Sequence, residues 1–319
     1  MIIELPDTTT GAISRELVRV RQEGGAVALG RVLTLVIATS HGAEEEAILA
    51  ANDASREHPM RVIVLSKATE VTSERSRLDA QIRVGGDAGA SEVVVLRAHG
   101  EAAKHEEGLV TGLLLADAPI VAWWPQFPPT TSSSSPIGRM AQLRITDAAS
   151  QPDPQAFLHQ LADSYSPGDT DFAWTRLTLW RAQLAATLDQ PPYETVNLVE
   201  VAGAKDSPST LLLAAWLKLQ LGVEVKQTFV DSHSLGGGIF WVKLHRDSGV
   251  IELRRSQPGV VSLSQPGQPL QNISMPRRSL RDCLAEELRR LDPDEMYGQV
   301  LRKGLELVSG SLEQSRATQ

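Results

Sequence analysis

Apolar positions along this chain alternate between short continuous runs and stripes at helical spacing, which predicts strands and helices in turn. Val32–Thr39 is a β-rich run, and the alanine- and glutamate-rich stretch Ala43–Glu57 after it has helical character until Pro59 stops it. Arg61-Val-Ile-Val-Leu65, Gln81–Val84 and Glu92–Arg97 read as strands, Lys104–Ala116 as a helix and Pro119-Ile-Val-Ala-Trp-Trp124 as a buried strand. Strand–helix–strand units joined by short connections predict an α/β layer with a largely parallel sheet. Pro125–Pro136, with its prolines and Thr/Ser run, breaks the pattern and reads as a mobile loop or linker.

A helical block follows, centred on Asp169–Asp189, with Asp169 as N-cap and Ala173, Leu177, Trp180, Leu184 and Leu188 as its apolar stripe. After Pro191-Pro192 a βαβ pattern resumes. Thr195–Val201 is a strand, Ser207-Pro208 opens a helix as N-cap and first residue, Gly222 ends it, and Val223–Val230 is the next strand. From Ile239 the spacing turns antiparallel: Phe240/Val242/Leu244 and Ile251/Leu253 alternate about an Asp247-Ser-Gly249 turn. Two short strands come next, near Gly259–Ser264 and Leu270–Met275. Two capped helices close the chain, one begun by Ser279 with Asp282 and one by Asp292-Pro293 with Glu295. The fold class is therefore α/β in two units. The N-terminal unit (1–166) carries a largely parallel sheet with helices. The C-terminal unit (167–319) carries a βαβ element, antiparallel strands and the closing helices.

Composition agrees with a large core, since 42% of the 319 residues are apolar. The net charge of −8 lies in both halves, and no Lys/Arg block forms a phosphate-tracking stripe, so neither nucleic acid nor an anionic membrane is an expected partner. Met1–Thr10 lacks a basic stretch followed by an apolar run, no apolar segment is long enough to span a bilayer, and Cys283 is the sole cysteine. The chain reads as cytoplasmic, with no internal disulfide and no cysteine cage for zinc.

A search for chemistry finds little. Thr39-Ser-His-Gly42 is the best strand–helix junction for a phosphate, but Glu44-Glu45-Glu46 already complement the helix dipole there and would repel one. Gly85-Gly86 with Gly89, and Gly236-Gly-Gly238, read as turns. The Glu101/His105 and His41/Glu45 pairs offer no third metal ligand, Asp231-Ser-His233 is merely consecutive, and no catalytic site or cofactor is expected. Tryptophan and arginine stand apart from this background. Trp123 and Trp124 end a strand and point to opposite faces, so both are core only if the sheet is covered on both sides. Trp174, Arg176 and Arg181 share one helical block, with Trp174 and Arg181 on neighbouring positions of its surface. Together with Arg139, Arg144 and Asp147 after the proline/serine segment, these are the candidate partner-binding residues, because Trp and Arg anchor protein interfaces.

Longer strings carry a resemblance. Ala118-Pro-Ile-Val-Ala-Trp-Trp-Pro125, Pro136-Ile-Gly-Arg-Met-Ala-Gln-Leu-Arg-Ile-Thr-Asp147 and Gly168-Asp-Thr-Asp-Phe-Ala-Trp-Thr-Arg-Leu-Thr-Leu-Trp-Arg181 resemble the actinobacterial OpcA family. So do Ser55-Arg-Glu-His-Pro-Met-Arg-Val-Ile63 and Arg277-Arg-Ser-Leu-Arg-Asp-Cys-Leu-Ala-Glu-Glu-Leu288, in the same order, over nearly the whole chain. Leu143 departs from the pattern, which has a second basic residue there. The resemblance implies a non-catalytic assembly factor or allosteric activator whose partner is glucose-6-phosphate dehydrogenase. The reading from another class is a sugar-phosphate-binding α/β enzyme of isomerase or lactonase type.

Overall fold

The computed structural model describes residues 1–23, 32–67, 75–85, 92–230 and 238–308. Gly86, Gly89, Gly236, Gly237 and the Asp231-Ser-His233 run lie outside the described residues. The first elements are β1 (Ile2–Leu5), α1 (Thr10–Glu23), β2 (Leu33–Ser40), α2 (Glu44–Ala54), β3 (Met60–Lys67), β4 (Arg77–Arg83) and β5 (Glu92–His99). Next come α3 (Glu106–Thr111), β6 (Ile120–Trp123), β7 (Leu143–Thr146), α4 (Pro154–Ser164), β8 (Asp169–Asp171), α5 (Phe172–Thr175) and α6 (Thr178–Leu188). The rest are β9 (Leu198–Ala204), α7 (Pro208–Leu221), β10 (Glu224–Val230), β11 (Ile239–Arg246), β12 (Gly249–Gln257), β13 (Val260–Ser264), β14 (Gln271–Ser274), α8 (Leu280–Glu287) and α9 (Glu295–Gln299).

The strands form two sheets, one of eight strands in the order β1-β4-β5-β3-β2-β6-β7-β8 and one of six in the order β10-β9-β11-β12-β13-β14. In the first, β5, β3, β2, β6 and β7 run parallel, while β1 and β4 pair antiparallel at one edge. In the second, β9 and β10 are the parallel pair of a βαβ unit and the other pairs are antiparallel. This is the α/β class read from the sequence.

By contacts the chain forms two compact units. One holds Met1–Asp147, Gly168–Thr170 and Ser279–Pro293; the other holds Ala148–Pro167, Asp171–Arg278 and Asp294–Gln319. In the first unit β2, β3 and β5 are buried almost without interruption, as parallel strands covered on both faces must be. Ile13 and Leu17 of α1 and Leu109 and Val110 of α3 pack on one face; α2 packs on β2 and β3 and against α8. In the second unit β12 and β13 bury alternate residues, as β9 does over Leu198–Val201 and β11 over Trp241–Arg246. Val199, Val201, Val242, Leu244, Ile251 and Leu253 meet α4, α6 and α7 in one core, and the intervening residues face away from it.

Four local expectations are corrected. The helix expected over Lys104–Ala116 is a 3₁₀ turn, Gly100–Lys104, followed by the short α3; Gly108 and Gly112 weaken helical propensity there. Asp169 is not an N-cap, because its carboxylate accepts from Arg144; Asp171 caps instead, accepting from the Ala173 N–H at 2.8 Å. In the final helix the cap is Asp294 rather than Asp292, since its side chain reaches the Tyr297 N–H at 2.9 Å.

The fourth is Pro125–Pro136, which is not a bare linker. A 3₁₀ turn at Ser132–Ser134 buries Ser132, the Ser135 hydroxyl donates to the Ser132 carbonyl at 2.8 Å, and the Gly138 N–H donates to the Ser135 Oγ at 3.0 Å. Serine hydroxyls here supply the hydrogen bonds that an irregular backbone lacks.

That loop depends on one glycine. A Cβ at Gly138 would stand 1.8 Å from the Ser132 carbonyl oxygen, whereas one at Gly108 meets nothing within 4 Å. Gly138→Ala is expected to destabilise the chain by about 2 kcal/mol or more, and Gly108→Ala to be neutral or stabilising by up to about 1 kcal/mol. Denaturant melts of both variants check the opposite signs.

Candidate functional site

Five of the eight candidate partner-binding residues lie in the first unit. Trp123 ends β6 and Trp124 follows it, with the Trp124 N–H donating to the Ile145 carbonyl at 3.0 Å. They are 0% and 4% exposed. Trp124 packs in the same cluster as Val36, Ile63, Ile137 and Ala141; as its strand neighbour, Trp123 points to the other side of the sheet. Because both faces are covered, both indoles are interior. Arg144 is buried on β7, its Nε donating to Asp169 at 2.5 Å and its Nη1 to the Ala141 carbonyl at 2.9 Å. Asp147 is buried as well. Arg139 is the exposed member, reaching Glu107 at 3.2 Å and the Ser134 carbonyl at 3.1 Å.

The Thr39-Ser-His-Gly42 junction borders a cavity of about 360 Å³ lined by Thr39, Ser40, Lys67 and Glu106, and a carboxylate already sits at the helix start. Glu44, in the first turn of α2, is buried and accepts from the Ser66 hydroxyl at 2.6 Å, with the Arg97 guanidinium 3.6 Å away. Burial alone would raise its pKa. The Ser66 hydroxyl, local backbone N–H groups and Arg97 outweigh that and hold the carboxyl below the usual range.

In the second unit the Trp174 indole is enclosed and donates through Nε1 to Asp294 at 2.8 Å, with the Tyr297 ring centroid 5.8 Å away. The Arg181 guanidinium stacks on Trp174 at 3.6 Å, and Arg176 lies over Phe172 at 5.9 Å. Arg176 and Arg181 are half-buried. The structure thus joins Trp174 to Arg181 and Arg144 to the Asp169 strand, while the three tryptophans, Arg144 and Asp147 take interior positions. A docking anchor must be reachable, which leaves Arg139, Arg176 and Arg181 to present surface.

The structure also gathers residues that the sequence pattern passed over. Trp241 lies on the polar side of β11, with Lys243 at 4.7 Å and Arg254 at 5.7 Å from its ring, near the His245–Glu200 pair. The signal was an aromatic on the outward half of the Phe240/Val242/Leu244 alternation. A cavity of about 360 Å³ opens where β9 passes through Ser207 into α7. Arg176, Arg255, Arg277 and Arg278 line it, with Trp180 as its aromatic wall and Asp206 as its carboxylate. Arg176 was already a candidate; Arg255 and the adjacent Arg277 and Arg278 come from other segments, so no local spacing joins them to it. Among the described residues, no group of three or more His, Cys, Asp or Glu could hold a metal ion, and no helix is long and apolar enough to cross a membrane.

Two family profiles match in tandem, both describing a glucose-6-phosphate dehydrogenase subunit. The profile of its N-terminal domain matches residues 51–163, and the profile of its C-terminal domain matches residues 167–301. The chain belongs to the OpcA family of glucose-6-phosphate dehydrogenase assembly proteins. OpcA membership links it to that dehydrogenase and so to the pentose phosphate pathway. The OpcA C-terminal profile spans all four cavity arginines, and the N-terminal profile spans Trp123, Trp124, Arg139 and Arg144. No curated protein sequence matches the chain.

Among solved structures it is similar to KijD10, a 3-ketoreductase from Actinomadura kijaniata, at 11% identity over 87% of this chain and 96% of that one, with a TM-score of 0.49. It is also similar to an oxidoreductase from Sinorhizobium meliloti at 12% identity, covering 90% of this chain and 98% of that one, with a TM-score of 0.48. A third is myo-inositol dehydrogenase from Lactobacillus casei, at 8% identity over 88% of this chain and 95% of that one, with a TM-score of 0.44. Likeness at this level carries no inference about chemistry.

The Glu44 site gives a pH test within this OpcA chain. A carboxylate whose folded pKa is lowered contributes stability above its unfolded pKa and loses that contribution as pH falls through the folded value. Glu44→Gln should therefore melt lower than the parent at neutral pH, and the gap should narrow as the pH falls below the ordinary carboxylate range. Thermal melts across that range check it; a constant gap would assign the loss to packing alone.

Proposed function

We propose that the chain is a non-catalytic assembly factor and allosteric activator of glucose-6-phosphate dehydrogenase, acting in the cytoplasm on the oxidative branch of the pentose phosphate pathway. The observation that carries this reading is the tandem, ordered match of both family domains across residues 51–301. The candidate residues are compatible with it, since Arg139 and Arg176, in turns, and Arg181, on α6, offer cationic groups at the surface.

The chain alone is expected to turn over no glucose 6-phosphate with NADP, and in saturating excess to change the dehydrogenase's kcat, KM or oligomer distribution. If all three quantities stay constant, the reading is wrong. Arg139→Ala removes an exposed ion pair and an exposed hydrogen bond to the Ser134 carbonyl, and should change the melting temperature little. If Arg139 docks on the dehydrogenase, the same variant weakens binding by about 1–2 kcal/mol, roughly ten- to thirtyfold in Kd. Trp124→Ala is the core control, lowering the chain's own stability first.

Cys283 on α8 is fully buried, so it offers no ready thiol to a solution oxidant. Cys283→Ser should leave activation intact, with or without reductant in the assay. Loss of activation by mild oxidant that the serine variant escapes would show the opposite.

A further inference from the structure

The cavity at the β9–α7 junction sets four guanidiniums against one carboxylate, that of the exposed Asp206. Arg255 is the one buried most deeply, at 6% exposure. Its Nε and Nη1 donate to the carbonyls of Ile239 at 3.4 Å and Met275 at 3.1 Å, and among the described residues no carboxylate pairs with it. Burial first, and the charge of Arg277 second, push this guanidinium below its ordinary pKa. An interior cation of this kind costs several kcal/mol unless an anion answers it.

A second feature points the same way. α7 is 14 residues long and begins beside the cavity at Ser207. Ser207 is more than nine-tenths buried and occupies the N-cap, yet its side chain makes no capping hydrogen bond. Pro208 has no N–H and the Thr210 N–H turns to the Ser207 carbonyl at 3.2 Å, so the first turn has no side-chain acceptor of the kind an N-cap serine ordinarily supplies. The turn is seated tightly on the end of β9: a Cβ at Gly203 would stand 2.1 Å from the Thr210 Oγ1 and 2.8 Å from the Gly238 carbonyl oxygen. Helix N-terminus, Ser207 and guanidiniums converge on one small volume.

We propose that this cavity binds a small phosphate monoester, its phosphate held by the first turn of α7, the Ser207 hydroxyl, Arg255 and Arg277, and its organic part lying along Trp180. A monoester carries close to two negative charges at neutral pH and several acceptor oxygens, which suits two guanidiniums and a helix N-terminus better than a single carboxylate does. A volume of about 360 Å³ suits a metabolite rather than a protein segment. The Trp180 face, with Met275 and Pro276 beside it, offers an apolar wall for a sugar or a base. The site stands independently of any action on the dehydrogenase.

The test is calorimetric titration of the full chain with glucose 6-phosphate, with AMP and with inorganic phosphate, against glucose and sodium chloride at matched ionic strength. One monoester should bind saturably with a Kd of about 1 mM or tighter, inorganic phosphate more weakly, and glucose and chloride not at all. The tighter monoester identifies whether Trp180 receives a sugar or a base. Arg277→Met, at the exposed cavity mouth, should keep the fold and lower affinity about tenfold or more, and Ser207→Ala should lower it a few-fold. Arg255→Met should abolish binding if it folds; the other two variants decide the matter if it does not. The proposal fails if neither monoester saturates, if sodium chloride gives the same heat, or if Arg277→Met and Ser207→Ala both bind like the parent. It also fails if monoesters do not bind while Arg277→Met weakens dehydrogenase binding, since the cavity would then be a socket for an acidic side chain of the dehydrogenase.

Discussion

A charge inside a protein has to be answered by an opposite charge, and the first sheet is built around one such answer. Glu92, at the start of β5, is 1% exposed. It stands in register with Arg61 of β3, which donates to it through Nε at 2.9 Å and Nη2 at 2.7 Å, and Arg21 of α1 reaches the same carboxylate. Arg61 also donates to the Leu113 carbonyl at 2.7 Å, tying in the turn after α3. One ion cluster thus joins two central parallel strands, the helix above them and the approach to β6. Removing one partner of such a cluster strands the other in a low-dielectric interior, which is far more costly than the pair is favourable. The same rule explains Arg144 with Asp169, and Glu44 with Ser66 and Arg97.

Against that background Arg255 stands out by its place at a cavity. Its neighbours are carbonyls, an arginine and the Trp180 ring at 5.8 Å, none of which neutralises it. Like Arg246, which donates to the Pro192 carbonyl, it is a buried arginine bonded to backbone, but it faces a cavity beside an uncapped helix. That combination belongs to ligand recognition more than to stability, because the cost of burying the cation is recovered only when an anion arrives. A chain of the OpcA family with a metabolite-sized anion site would join two roles in one molecule, contact with a dehydrogenase and sensing of a phosphorylated compound.

The two sheets differ in how they are buried. The parallel sheet is covered on both faces, so its strands offer only their ends and connecting loops to the outside, and Trp123 and Trp124 are spent on its core. The mixed sheet buries one face, so Trp241, Lys243 and Arg254 remain on the other, where a cation can lie over an indole without being desolvated.

Periodicity alone determined much of this protein. Continuous apolar runs gave away β2, β3 and β5, alternation about Asp247-Ser-Gly249 gave the β11–β12 hairpin, and Gly222 and the Ser279/Asp282 capping box marked helix ends that the structure keeps. These are local properties, decided by which side chains neighbour one another along a few turns or one strand. Family-length strings pointed to the OpcA family for a related reason, since collinear order survives where spatial contacts cannot be read. The tertiary structure decided the rest. It chose Asp171 over Asp169 as a cap because Arg144, distant in sequence, claims the Asp169 carboxylate. It turned a serine-rich segment into an ordered loop by closing Ser132, Ser135 and Gly138 on one another. It brought Arg176, Arg255, Arg277 and Arg278 to one cavity. Each of these is a long-range electrostatic or steric outcome, and distance in space, unlike spacing along the chain, exists only once the strands have paired.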